Sequence, residues 1–162
     1  MLSPTLTEAF TKQMNVEFAS AYLYLSMASY FEASNLKGFS RWMQVQSKEE
    51  LEHAMKIYHY LGERGATQRL LTLSEPKASW DSPLTVFVDA YKNETTNTAN
   101  LNALTDLAIQ EKDHAATVFL HWFVNEQVEE EAVTSEIVEK LKMVQNAPAG
   151  LYIIDRELAA RQ

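Results

Sequence analysis

Cysteine is absent from all 162 residues. That excludes disulfide stapling, thiolate zinc sites and iron–sulfur ligation, and it gives no sign of an oxidising compartment. Glycine and proline are scarce, four of each, so long regular elements are favoured over a turn-rich β architecture. The nearest thing to a membrane span, "FASAYLYLSMASYF", is too short and begins beside Glu17. The opening "MLSPTLTEAF" has neither a basic start nor an apolar run, so no signal peptide is read there. Basic residues number 14 against 22 acidic ones, and the net charge of −8 argues against nucleic acid or anionic membrane as partner. A cytoplasmic location is the default expectation.

What is present suits one domain spanning residues 1–162, with 46% hydrophobic residues to build a core. Four long segments carry helical periodicity. The first is expected from about Ser3 to Ser34, with Ser3 as N-cap and Pro4 at the first helical position. The second runs from about Lys37 to Arg64 and stops at Gly65. Residues 66–81, "ATQRLLTLSEPKASWD", hold no sustained period and read as a long connection. Ser82 and Pro83 repeat the cap-then-proline signal and open a third helix to about Gln110. "EKDH" (111–114) is a short break before a fourth helix to about Val144, and "QNAPAG" precedes a short terminal helix, "LYIIDRELAARQ". Two short connections and one long one predict an all-α four-helix bundle with one crossover and a short fifth helix at the C-terminal end.

Each long helix carries an apolar line that turns polar at mid-length. On the second helix, stepping at about 3.5 residues per turn gives Phe39, Met43, Gln46, Glu50, His53, Ile57 and Tyr60. The first gives Leu6, Phe10, Gln13, Glu17, Ser20, Tyr24, Met27 and Phe31. The third gives Leu84, Phe87, Tyr91, Glu94, Thr98 and Leu101, and the fourth Leu120, Phe123, Gln127, Glu130, Thr134, Ile137 and Leu141. A single inward Glu or His is more often a hydrogen-bonded core residue than a ligand. Four interruptions in register point the other way, because an unpaired buried carboxylate costs several kcal/mol.

The spacings join them into one site. Glu17 to Glu50 and Glu94 to Gln127 are both 33 residues, while Glu50 to His53 and Gln127 to Glu130 are both three. A shift of 77 lays Glu17, Glu50 and His53 on Glu94, Gln127 and Glu130. Two helix pairs of one pattern would then face each other across a pseudo-twofold axis. Four carboxylates, one imidazole and one amide would collect where the sequence offers no inward Lys or Arg. A pair of divalent cations would neutralise them. Oxygen-rich ligands with a His suit iron or manganese, and residues three apart on a helix can grip one ion.

These residues resemble the ferritin-like di-iron carboxylate proteins, in which two helices each give a Glu and two others each give Glu-x-x-His. Glu17 and Glu94 match the single carboxylates and "EELEH" one Glu-x-x-His; "QVEE" puts Gln127 and Glu130 in place of the second. That replacement is the ferritin pattern. "NVEFASAYLYLSMASYF", "GFSRWM", "FLHWFVNEQVEEE" and "LYIIDREL" are similar to bacterial and archaeal non-haem ferritins over nearly the whole chain. The resemblance implies a first iron site of Glu17, Glu50 and His53. It implies a second of Glu50, Glu94 and Glu130, with Glu50 bridging and Gln127 nearby. It also implies a third iron position at Glu49, Glu126, Glu129 and Glu130, although "EQVEEE" alone reads as a solvated face. Tyr24 matches a family tyrosine beside the site, where it could bond a ligand or give up an electron; spacing alone fits a core aromatic equally well.

By the same resemblance, the chain oxidises Fe(II) with O2 or H2O2 and deposits ferric oxo-hydroxide inside a homo-oligomeric shell of 24 subunits. Haem is not expected, since bacterioferritins bind it through a Met where this chain has Leu51. Leu120 and Thr117 stand where animal ferritins line a threefold channel with carboxylates, so an acidic threefold route is not expected. Other readings fit less well. A rubrerythrin needs Cys, a di-iron oxygenase the second Glu-x-x-His. A shell subunit without an oxidation centre would not keep the carboxylates, and a metal-free bundle leaves them unexplained.

Overall fold

The computed structural model describes residues 1–161, ordered as α1 (Pro4–Ala33), α2 (Lys37–Glu63), α3 (Pro83–Gln110), α4 (His114–Met143) and α5 (Pro148–Leu158). No strand occurs among the described residues. Side-chain caps start three of the long helices. Ser3 accepts from Leu6 N at 3.1 Å, and Ser82 forms a capping box with Thr85. Asp113 accepts from Ala116 N at 2.9 Å, so α4 begins at His114, one residue inside the expected break. The short fifth helix starts at Pro148 rather than at Leu151, because proline fits the first turn, where an N–H would lack a helical acceptor anyway. It closes at Leu158 rather than running on; Gln162 lies outside the described residues. Gly65, after α2, has φ +74°, a left-handed conformation glycine adopts without steric cost.

Helix α1 packs along α2 and α3 along α4; α1 also meets α3, and α5 rests on α2. The long connection is pinned by polar contacts rather than by regular structure. Asn15 donates to Arg69 O at 3.1 Å and accepts from Leu71 N at 2.8 Å, and buried Trp80 donates to Asp89 at 2.8 Å. Arg64, at the end of α2, binds Asp113 through two hydrogen bonds of 2.7 and 3.2 Å, joining the start of the long connection to the α3–α4 loop.

The apolar core is in two parts. One gathers Leu6, Phe10, Met14, Ile57, Leu61, Leu104, Leu120 and Phe123. The other gathers Met27, Phe31, Phe39, Trp42, Phe87, Ile137, Leu141 and the α5 residues Ile154 and Leu158. Between them lies a buried polar layer of Gln13, Glu17, Gln46, Glu50, His53, Glu94, Asn97, Gln127 and Glu130. The interrupted lines read from α1, α2 and α4 are buried as expected. On α3 the buried line is Ala90, Glu94, Asn97, Leu101, Leu104 and Ala108, while Leu84, Tyr91 and Thr98 are only half-buried.

Helix α5 is held by a close approach at Gly38. A Cβ there would come within 1.6 Å of Asp155 O, and Asp155 Oδ1 accepts from Phe39 N at 3.0 Å. Gly38→Ala is therefore expected to push α5 off α2, costing about 1–3 kcal/mol. A lowered thermal midpoint with early exchange of α5 amides would register it; an unchanged midpoint and exchange pattern would refute the contact.

Candidate metal centre

Two sets of three side chains each bring a ligand atom within 4.8 Å of the others: Glu17, Glu50 and His53, and Glu50, Glu94 and Glu130. All five residues are buried, and Glu50 belongs to both sets. Its placement follows from α2, where a three-residue step sets Glu50 and His53 on one face. His53 Nδ1 lies 4.0 Å from Glu50 Oε2. Helices α1, α3 and α4 bring the other carboxylates to the same level.

Amides hold some of these oxygens and leave others open. Gln13 donates to Glu17 Oε1 at 2.6 Å and Asn97 to Glu17 Oε2 at 3.2 Å. Gln46 spans the two metal sets, donating to Glu50 Oε1 at 3.0 Å and to Glu130 Oε2 at 2.8 Å. Gln127 donates to Glu94 Oε2 at 3.3 Å and to Glu94 O at 3.2 Å, and the Tyr24 hydroxyl donates to Glu94 Oε1. Glu50 Oε2 and Gln46 Oε1 are buried with no hydrogen-bond partner. An undonated, buried carboxylate oxygen facing an imidazole and further carboxylates is a place for a cation.

The charges agree. Burial pushes the Glu17 carboxyl up to about 7, against the pull of Gln13 and Asn97. Burial, then the charge of Glu94, takes Glu130 up to about 8. Glu50 is raised well above the ordinary range by burial and by Glu94, Glu17 and Glu130. Glu94 is raised by burial while Tyr24 and Gln127 draw it back. His53 is lowered to about 4 by burial and by Lys56, so its ring is neutral at pH 7 and free to ligate. Among the described residues no Lys or Arg is buried to balance these groups.

A ferritin-like domain profile matches residues 7–144. The chain belongs to the ferritin family. It is 38% identical over 161 residues to a bacterial non-heme ferritin of Staphylococcus aureus, covering 99% of this chain and 97% of that one. To a bacterial non-heme ferritin of Bacteroides fragilis it is 39% identical, covering 99% and 100%. Its structure superposes on the open pore ferritin of the hyperthermophilic archaeon Archaeoglobus fulgidus with a TM-score of 0.99, at 48% identity and full coverage of both chains. A humanized archaeal ferritin gives 0.99 at 47% identity, covering 100% of this chain and 99% of that one. The ferritin family is one of iron-storing, iron-oxidising proteins, and the all-α bundle with a short C-terminal helix is its fold.

In this ferritin Glu49, Glu126 and Glu129, expected to join Glu130 at a third iron position, stand outside both close sets. Glu49, Glu126 and Glu129 line one cavity with Glu130, His53 and Trp122, and only Glu130 among those four carboxylates is in a close three-ligand set. Glu49 is half-buried and paired with Arg161; burial raises its carboxyl and the Arg161 charge opposes this. Glu129 is exposed. Asn97 and Arg161 are the polar residues the sequence reading passed over. Asn97 falls on the 3.6-residue line through Ala90, Glu94 and Leu101, a signal the 3.5-residue step misses. Arg161 is 112 residues from Glu49, and no local pattern marks it.

Proposed function

We propose that this ferritin is a ferroxidase and iron store, with Glu17, Glu50 and His53 taking one Fe(II) and Glu50, Glu94 and Glu130 a second. The observation that carries this reading is the sharing of Glu50 between two buried ligand sets, each within 4.8 Å. Two ions sharing Glu50 can each give one electron to one molecule of O2 or H2O2. O2 taking two electrons and two protons becomes H2O2, and H2O2 taking two electrons and two protons becomes two waters; either way two Fe(II) become two Fe(III).

The second set lacks a His, and its amide, Gln127, is engaged with Glu94. Weaker hold on the second ion favours release of ferric product over retention, which suits a store. Glu49, Glu126, Glu129 and Glu130, which line one cavity, make the third iron position. Tyr24, bonded to Glu94, is placed to orient that ligand. The residues work within one ferritin-like domain, 1–162, in a cytoplasmic shell of 24 copies. Exposed Tyr22 and Leu25 on α1, and Tyr152 and Ile153 on α5, support burial against further copies. No helix among the described residues is long and apolar enough to cross a membrane.

Aerobic Fe(II) addition followed by size-exclusion chromatography tests the whole reading. The expected result is oxidation of many more irons than two per chain, with the product eluting inside a large shell. Oxidation that stops at two per chain would instead indicate an enzyme that keeps its irons. No oxidation above the buffer rate would remove the catalytic assignment.

A further inference from the structure

The cavity over the third position is lined by two basic side chains as well as carboxylates. Lys56 lies over the Trp122 ring, 4.2 Å from its centroid, on the His53 side. Arg161 comes from the end of the described chain and is held at four points. Its N–H donates to Leu158 O at 3.3 Å, and its carbonyl accepts from Arg41 Nε at 3.4 Å. Its guanidinium lies 4.3 Å from the Trp42 centroid and forms an ion pair with Glu49. Nη1 is buried and donates to no acceptor.

We propose that Arg161 is a tethered cation that competes with the third metal ion for Glu49 and so sets that position's affinity below that of the paired sites. The inference rests on the di-metal reading above, and it concerns how the third position is regulated. The guanidinium occupies Glu49 Oε2, and its positive charge opposes a second cation on the same carboxylate. The arginine is covalently attached, so its local concentration does not fall when solution cations are scarce. Its charge also acts on Glu130, drawing that carboxyl down against the rise that burial causes. The effect falls most directly on the third position, since Glu49 is paired with Arg161, whereas Glu130, shared with the second set, feels the arginine's charge without pairing to it. Metal therefore fills the pair first, and the third ion enters against the arginine's charge. Because the guanidinium has an unused buried donor, its position here is held by charge and ring stacking rather than by a complete hydrogen-bond set.

Zinc binding to the metal-free assembled protein, followed by isothermal calorimetry at pH 7, tests this without any oxidation. The parent should take two tight equivalents and a weaker third. Arg161→Gln should tighten the third by about twofold to fivefold, the effect of removing one partly exposed ion pair, and shift the first two by less. In a Glu49→Gln background, Arg161→Gln should have no such effect, because the shared carboxylate is gone. A third equivalent that is unchanged or weaker in Arg161→Gln overturns the inference, as does equal tightening in the Glu49→Gln background. Those results with two tight, Glu50-dependent equivalents overturn it alone. A parent lacking the two tight equivalents overturns the di-metal reading as well.

Discussion

Replacing Glu50 by Ala is expected to lower the initial rate of aerobic Fe(II) oxidation by about a hundredfold or more, since losing a ligand itself should exceed the roughly tenfold to hundredfold cost of losing a group that only orients a ligand. No other ligand belongs to both sets. Its loss leaves Glu17 and His53 on one side, Glu94 and Glu130 on the other, with nothing holding the two ions at a common distance. Two one-electron donors that are no longer adjacent cannot deliver an electron pair to one oxidant. His53→Ala should be milder, weakening only the first set, and Glu130→Ala should act mainly on the second. Stopped-flow absorbance of ferric product gives the rates. Parental speed in Glu50→Ala would refute the assignment of the site.

Metal-free protein is expected to lose several kcal/mol of stability as pH rises from about 6.5 to 8. Unfolded glutamate titrates near 4.3. In the folded chain Glu17 is pushed up to about 7 and Glu130 to about 8, with Glu50 and Glu94 also raised. Above the unfolded value the unfolded chain has released its protons while the folded one still holds them, so rising pH favours unfolding. The loss is complete once pH passes the folded values. His53 acts oppositely: its folded value is lowered to about 4, so its effect falls between there and its unfolded value near 6.5. Above about 6.5 the carboxylates act alone. Zinc should cancel the slope and add about 2.7 kcal/mol per site at a hundredfold excess over Kd. Glu50→Ala should flatten the slope and raise the thermal midpoint of the empty protein. A metal-free midpoint that is level or rising across this range would contradict the buried-anion account.

Much of this arrangement was legible from the residues because burial leaves a periodic trace. The lines on α1, α2 and α4 could be read at a seven-residue step, and the matched 33-residue spacings brought the acidic groups to one level. On α3 the step drifted, because a helix without supercoil advances 3.6 residues per turn; half-buried Tyr91 and Thr98 entered the line and Asn97 fell out of it. Gln13 and Gln46 were visible as polar interruptions, but that each amide would seize two oxygens depends on rotamers that spacing does not encode. Arg161 was not legible at all. Its meeting with Glu49 depends on where Gly38 and Asp155 seat α5 against α2.

The uneven grip on the two carboxylates of the first set has a mechanical consequence. Glu17 is clamped by amides on both oxygens, whereas Glu50 keeps one oxygen undonated. The pair acts as a vice with one fixed jaw and one sliding jaw. The fixed jaw keeps the first ion's seat in place. Were two ions held as proposed, the sliding jaw could turn its undonated oxygen toward the second without disturbing the helices that carry the rest.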